Sequence, residues 1–172
     1  MPAASTISSI LKRHGLIDPA HSLSHRAFQR FQRERPNALW QMDFKGHFPV
    51  GALRCHPLTA LDDHSRFSVA LRACGDEQSR TVQHELTDCF RRYGLPEQML
   101  MDNGSPWGDD AAHVLTVFTV WLIRLGVGVI HARPYHPQTQ GKAERFHRTL
   151  KAELLNHCLF GDLAQCQRHF DR

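Results

Sequence analysis

The order of periodic segments between residues 39 and 158 is the feature that most constrains the fold of this chain. Three segments with the extended pattern of β-strands come first, at 39–48, 53–61 and 67–73. The later segments alternate between helix and strand: 78–93, 98–101, 110–125, 127–130 and a helix from Gly141 or Lys142 to about Cys158. The order βββαβαβα predicts an α/β domain with a mixed sheet, an antiparallel meander at its start and helices on its faces.

Composition excludes several classes of protein. A chain of 172 residues with 41% hydrophobic and 22% charged residues is typical of one soluble globular domain with modest extensions. No apolar run approaches the roughly 18 residues that a membrane span requires, and the N-terminus lacks the pattern of a signal peptide. The five cysteines form no CxxC pair, which predicts reduced thiols and no structural zinc site. We therefore expect a cytoplasmic protein.

Basic side chains are concentrated in two zones. Residues 1–36 contain six basic and two acidic residues, 6 − 2 = +4, and residues 131–151 contain five and one, 5 − 1 = +4. Because the net charge of the whole chain is +4, the other residues sum to −4. Two basic zones around a mildly acidic body favour a polyanionic partner such as nucleic acid. Two solvated surface segments are the alternative.

Three acidic residues stand out by their positions. Asp43 lies within the first predicted strand, Asp102 ends the fourth, and Glu144 lies in the first turn of the last helix. If these two strands are adjacent, the three carboxylates can converge, and hard oxygen ligands of this kind suit Mg²⁺ or Mn²⁺. A site with two such ions serves displacement at phosphorus. Taken singly, each acid also has a structural explanation, as a strand-edge residue, a turn residue or a helix-dipole partner.

The last predicted helix carries cations beside its acid. Glu144, His147, Arg148 and Lys151 have the spacing i, i+3, i+4 and i+7, which places them on one face. That face suits DNA phosphates, although a solvated charged side of an amphipathic helix has the same pattern. The apolar residues Phe146, Leu150 and Leu154 predict the opposite, buried face.

At these residues the sequence resembles a known family. The segments WQMDFKG, LMDNGSPW and RPYHPQTQGKAERFHRTLKAEL are similar to the core of DDE integrases and transposases. The likeness is greatest to bacterial insertion-sequence transposases of the IS481/IS3 type, with retroviral and retrotransposon integrases as more distant relatives. It covers about residues 35–155, with 58 residues between the aspartates and 41 between Asp102 and Glu144.

The resemblance implies a ribonuclease-H-like fold, with a mixed five-stranded sheet flanked by helices. It implies that a homodimer or larger assembly cleaves transposon ends in a metal-dependent reaction. The freed 3′-hydroxyl then attacks target DNA. Asp43, Asp102 and Glu144 correspond to the triad that binds two Mg²⁺ or Mn²⁺ ions. Asp62 and Asp63 correspond to a structural strand-turn motif. The positions expected to contact DNA are Lys151, Arg148, His147, Lys142, Asn103, Gly104, His136, Gln138 and Arg133.

The resemblance also divides the chain. Residues 1–36 are expected to be a partial helix-turn-helix remnant, with a helix at 5–14, followed by a basic linker. Residues 37–158 are expected to form the catalytic core, and 159–172 the start of a truncated C-terminal region. Two other functions remain open: a catalytically idle remnant that only binds DNA, and a ribonuclease-H-type nuclease acting on RNA–DNA hybrids.

Overall fold

The computed structural model describes residues 4–16, 32–108, 115–132 and 141–172. The chain divides into two compact units, Met1–Phe31 and Gln32–Arg172. In the first unit, helix α1 (Ala4–Arg13) agrees with the predicted helix at 5–14. It ends before Gly15, whose φ of 65° is a backbone conformation that favours glycine.

The second unit follows the predicted order of elements, with some changes. Its described strands are β1 (Trp40–Phe44), β2 (Phe48–Val50), β3 (Leu53–Asp62), β4 (Ser68–Cys74), β5 (Gln98–Met101) and β6 (Gly128–His131). Its described helices are α2 (Ser79–Tyr93), α3 (Val117–Arg124), α4 (Gly141–Leu150) and α5 (Leu163–Phe170), with a π-helical segment, Lys151–Leu155, after α4. No helix in these described parts is long and apolar enough to cross a membrane.

The strands form one mixed sheet. Strand β3 pairs antiparallel with β4 on one edge and with β1 on the other. Strand β2 pairs antiparallel with β3 beyond the end of β1, and the Lys45 N–H donates to the Pro57 carbonyl between them at 3.0 Å. The predicted strand 39–48 is therefore interrupted after β1, and β2 begins only at its last residue, Phe48. The described sheet thus has six strands and not the five that the resemblance implies. Strand β1 also pairs in parallel with β5, and β5 pairs in parallel with β6, which confirms the mixed sheet.

The main core lies between the sheet and helices α2 and α3. Alternate residues of β1, Trp40 and Met42, are completely buried in it. They pack in one cluster with Val82, Leu86 and Cys89, the helix face that the sequence predicts for residues 78–93. The side chains between them on β1, Gln41 and Asp43, point to the opposite face of the sheet.

The start of α3 differs from its prediction. The sequence indicates Asp109 or Asp110 as the N-cap, and both lie outside the described residues. The helix begins at Val117, and the Thr116 hydroxyl accepts a hydrogen bond from the Thr119 N–H at 3.2 Å. The Thr119 hydroxyl accepts in return from the Thr116 N–H at 2.8 Å, so the pair closes a capping box.

A second apolar cluster joins the C-terminal helix to the sheet. Val50, Cys55, Phe160 and Cys166 are its buried members. Helix α5, which the sequence analysis does not predict, begins after Asp162, whose side chain accepts from the Gln165 N–H at 2.6 Å. The residues from 159 onward thus pack within the same compact unit as the sheet.

The helix that carries Glu144 is shorter than predicted. The pattern predicts a helix to about Cys158, but α4 ends at Leu150 and the chain continues as the π-helical segment. The wider π turn rotates every later side chain relative to an α-helical register. The one-face spacing therefore holds within α4 and changes from Lys151 onward.

Candidate active site

Parallel pairing of β1 and β5 brings two of the predicted acids to the same level of the sheet. Trp40 pairs with Met99 and Gln41 with Leu100. Continuing this register by two residues places Asp43 beside Asp102, which follows the last residue of β5. The expectation that these two strands are adjacent is confirmed.

The loop after Asp102 is held in place by its own backbone and by an aromatic anchor. The Gly104 N–H donates to the Asp102 carboxylate at 2.9 Å. Trp107 is buried and stacks on Phe44 of β1, with ring centroids 5.4 Å apart. At Gly108, an added Cβ would lie 2.5 Å from the Asn103 carbonyl oxygen, so only glycine permits this close return of the loop. The loop therefore keeps Asp102 at the end of its strand.

Asn103 braces this loop against the neighbouring strand. Its side-chain amide donates to the Ala132 carbonyl at 2.9 Å, and the His131 ring contacts the Asp102 carbonyl at 2.9 Å. One amide hydrogen of the Asn103 side chain is thus used in a hydrogen bond within the protein.

Like charges act on Asp43 from both other acids. Burial and the charge of Asp102 raise the pKa of Asp43 from 3.8 to about 7, and the charges of Glu144 and Glu77 add to the effect. A hydrogen bond from the Phe44 backbone opposes the rise. Carboxylates from a strand end and a helix therefore lie close enough to Asp43 to influence its ionisation.

Helix α4 is fastened to the sheet directly beneath this site. The Thr59 hydroxyl donates to the Asp43 carbonyl at 2.9 Å and contacts His147 Nε2 at 2.8 Å. Thr59 is the residue of β3 paired with Asp43. Because a hydroxyl has one proton, the His147 ring donates to Thr59 through Nε2–H. A threonine on β3 thus connects the strand of Asp43 to the helix of Glu144.

The structure turns His147 inward. Its side chain is only 12% exposed, and its Nδ1 lies 4.0 Å from an oxygen of Asp43. Burial and the nearby charge of Lys45 lower the pKa of His147 to about 4, so the ring is neutral at pH 7 and makes no ion pair with Asp43. This corrects the expectation that His147 lies in one exposed row with Arg148 and Lys151.

The remaining predicted DNA contacts fall into three groups. Arg148 and Lys151 are exposed, as is Glu144. Lys142 is paired instead with the buried carboxylate of Asp63, and its side chain is 18% exposed. The last three positions, Arg133, His136 and Gln138, lie outside the described residues.

The Asp62–Asp63 turn is structural, in agreement with the resemblance. Burial alone would raise the pKa of Asp62, but hydrogen bonds from Ser65 and from the Asn37 N–H outweigh it and lower that pKa. The Asp63 carboxylate is completely buried and accepts the Arg33 N–H at 2.7 Å. Both acids thus fasten the chain entering β1 to the turn after β3.

The donor set suits a hard divalent cation. Burial and the charges of Asp102 and Glu144 raise the pKa of Asp43, so a bound Mg²⁺ or Mn²⁺ would favour its ionised form, and all three carboxylates offer oxygen ligands. Among the residues that the structure describes, no group of three or more His, Cys, Asp or Glu side chains is arranged so that it could hold a metal ion.

A fourth carboxylate, that of Glu77, acts on this site and is not predicted from the sequence. Glu77 follows β4, and its charge contributes to the raised pKa of Asp43. It lies 2.7 Å from His56 Nδ1. No local sequence pattern distinguishes Glu77, because its neighbours at the site belong to other elements. Predicting its position would have required knowing that β4 pairs with β3.

Comparison with known proteins places this chain in a family. Residues 33–137 match the family described as Integrase core domain, and residues 125–172 match a second family of the same description. The chain belongs to the integrase core domain family. It is 31% identical over 120 residues to the Gag-Pro-Pol polyprotein of mouse mammary tumor virus, and 32% identical over 119 residues to that of Mason-Pfizer monkey virus. These matches cover 70% and 69% of the chain but only 6% of each polyprotein.

Solved integrase structures have the same fold. A chain of the simian T-cell lymphotropic virus intasome superposes with a TM-score of 0.60 at 21% identity, over 87% of this chain and 56% of that one. The HTLV-2 integrase catalytic core in complex with magnesium gives 0.57 at 18% identity, over 73% of each chain. The BIV catalytic core gives 0.52 at 24%, over 70% of this chain and 71% of that one. The fold of this integrase core domain is therefore ribonuclease-H-like, as the resemblance implies.

Proposed function

We propose that this integrase core domain carries out metal-dependent cleavage and strand transfer of DNA, as the catalytic domain of a transposase of the bacterial IS481/IS3 type. One observation carries the proposal: the parallel register of β1 and β5 places Asp43 beside Asp102. The charges of Asp102 and of Glu144 on α4 both act on Asp43, so three separate elements bring the acids of the family motif to one region. Family membership supports DNA as the substrate.

In this proposal Asp43, Asp102 and Glu144 are the residues that would hold Mg²⁺ or Mn²⁺, as two ions. The bound ions supply Lewis-acid activation of the attacking oxygen and stabilise the leaving oxygen. Burial of the β1 side of the site restricts water around Asp43, whose side chain is 22% exposed. The exposed Glu144 lies on the side from which DNA approaches.

The reaction consists of two displacements at phosphorus. In the first, a water oxygen bonds to phosphorus, the bond from phosphorus to the 3′-oxygen breaks, and the water proton passes to that leaving oxygen. In the second, the freed 3′-hydroxyl oxygen attacks a phosphodiester of target DNA and displaces its 3′-oxygen, which takes the proton. One phosphodiester is thus exchanged for another, so no outside energy source is needed.

DNA is held by the cations next to the acids. Arg148 lies near the end of α4, and Lys151 begins the π-helical segment. Both side chains are exposed, so their charges can meet DNA phosphates. Asn103, Arg133, His136 and Gln138 stay predicted contacts with transposon ends or target DNA. Joining two DNA ends requires two copies of the core, so we propose a homodimer or larger assembly on DNA.

Nicking of supercoiled plasmid with Mn²⁺ tests the proposal. Wild type is expected to nick, and EDTA or Glu144→Gln is expected to abolish nicking, because the variant loses a charged ligand without a change in size. Glu153→Gln is the matched control, since Glu153 is an exposed glutamate on the π-helical segment and the variant should nick like wild type.

Two other results would contradict the proposal. Plasmid binding without nicking by wild type would identify a DNA-binding remnant. Preferred cleavage of the RNA strand in an RNA–DNA hybrid would identify a ribonuclease-H-type nuclease. Transfer activity is tested separately, by incubating DNA with terminal 3′-hydroxyls and a target plasmid and measuring joined product.

A further inference from the structure

A single buried carboxylate connects the strand of one acid to the helix of another. Asp63 Oδ1 accepts a hydrogen bond from Gln41 Nε2 at 2.7 Å and forms an ion pair with Lys142 Nζ. The same Nζ donates to the Asp63 carbonyl at 3.1 Å. The other carboxylate oxygen accepts the Arg33 N–H at 2.7 Å. The Asp63 side chain is completely buried, so these groups satisfy its charge.

The two side chains bound to Asp63 Oδ1 come from the elements that carry two of the acids. Gln41 lies two residues before Asp43 on β1, and Lys142 lies two residues before Glu144 on α4. Residues i and i+2 of a strand share one face, so Gln41 and Asp43 both point toward α4. Asp63 therefore fixes the distance between two backbone segments, each of which presents an acid.

The first turn of α4 is where such an anchor matters most. Helix ends fray, and Glu144 lies in the first turn, where small changes in the backbone move the carboxylate. The contact of His147 with Thr59 holds the helix one turn later. Lys142 adds a second attachment, to Asp63 in the turn after β3. Along α4, Glu144 therefore lies between two attached residues, Lys142 and His147.

We propose that the Lys142–Asp63 ion pair positions Glu144 relative to Asp43 for metal binding, and that Lys142 is not a contact to DNA phosphate. The proposal rests on the proposed function, since it concerns the same triad. A phosphate would have to displace a buried carboxylate from the Lys142 ammonium, and Asp63 has no access to DNA. Lys142 and Asp63 are thus positioning residues, which act through Glu144.

The variants are Lys142→Met, Asp63→Asn and the double variant, with Arg168→Met as control. Arg168 is an exposed cation on α5, so its removal changes the net charge as Lys142→Met does. The double variant removes both charges of the pair, so it leaves no unpaired buried ion. Circular dichroism confirms the fold of each protein before use.

Binding of Mn²⁺ alone to the full chain is measured by isothermal titration calorimetry, without DNA. We expect each single variant and the double variant to weaken Mn²⁺ binding to the same extent, about tenfold or more, as loss of supporting residues around metal ligands does. Arg168→Met should bind Mn²⁺ like wild type. The Mn²⁺ concentration for half-maximal plasmid nicking should rise by the same factor in the three variants.

DNA binding in EDTA separates positioning from phosphate contact. The dependence of log Kd on log salt concentration should be the same for Lys142→Met as for wild type. A salt slope lowered by about one, with unchanged Mn²⁺ affinity, would show that Lys142 contacts phosphate and overturn the proposal. Additive losses of Mn²⁺ affinity in the double variant would also overturn it, because the two residues would then act separately.

The two proposals can fail separately. If wild type binds Mn²⁺ but does not nick DNA, the proposed function fails, and the Mn²⁺ affinities still decide the positioning role. If either single variant does not fold, the Mn²⁺ affinity of the double variant decides. An affinity equal to that of wild type would overturn the proposal, and a loss of about tenfold would support the proposal. Absence of Mn²⁺ binding by wild type would overturn both.

Discussion

Replacing Asp43 by asparagine should stabilise the metal-free protein at alkaline pH. In the fold, burial and the charge of Asp102 raise the pKa of Asp43 from 3.8 to about 7. A tenfold change in an acid dissociation constant corresponds to about 1.4 kcal/mol, so the ionised carboxylate destabilises the fold by about 4 kcal/mol. Asparagine has nearly the same shape and no charge, and should recover most of this free energy.

The sign of the pH dependence follows from the raised pKa. Between pH 3.8 and about 7 the folded protein holds a proton on Asp43 that the unfolded chain has lost, so stability falls as the pH rises through this range. The penalty is complete above pH 7 and absent below pH 3.8. The advantage of Asp43→Asn should therefore be about 4 kcal/mol at pH 8.5 and about 2 kcal/mol at pH 5.

Urea unfolding in EDTA at the two pH values measures this difference. Asp88→Asn is the matched control, because Asp88 is an exposed aspartate of α2 and its replacement should change stability little at either pH. An Asp43→Asn protein that is less stable than wild type at pH 8.5, or a difference that does not change with pH, would refute the reasoning. Saturating Mn²⁺ should reverse the order, since wild type alone retains the full set of ligands.

Three further substitutions test other parts of the site. Lys151→Ala should weaken DNA binding and lower the salt slope by about one, measured by fluorescence anisotropy, and an unchanged slope would exclude a phosphate contact. Thr59→Val removes the acceptor of His147 Nε2–H and should lower the unfolding free energy by about 1–3 kcal/mol in urea, with retention of wild-type stability as the contrary result. Trp107→Ala removes the buried ring stacked on Phe44 and should destabilise by about 3–5 kcal/mol; a loss below 1 kcal/mol would show that this anchor contributes little.

Predictions from the sequence were most successful where a residue's role depends on its own element. The buried face of α2 and the ends of β5 agree with the periodic pattern, because apolar spacing directly reports which side of an element is covered. The sequence alone permits but does not require that β1 and β5 be adjacent, and the parallel pairing of Trp40 with Met99 shows that they are. The DDE-type motif could be predicted from residue types and their spacing, and the mixed sheet from the order of strands and helices.

Helix ends and short elements were less accessible. The sequence predicts one helix from 141 to about 158, whereas α4 gives way to a π-helical segment at Lys151. It predicts no helix at Leu163–Phe170, whose apolar side meets the sheet only after β2 and β3 have paired. Such features depend on packing partners that local propensity does not contain.

The amino-acid sequence by itself predicted most of the order of elements, the three candidate acids and the family, since each follows from residue types and their spacing. Only the tertiary structure decided the partners of the cations and of the histidine on α4. Lys142 pairs with Asp63, 79 residues away, and His147 contacts Thr59, 88 residues away. The physical reason is that helical spacing places a polar side chain on a face, but its hydrogen-bond partner is whichever group the folded chain brings there.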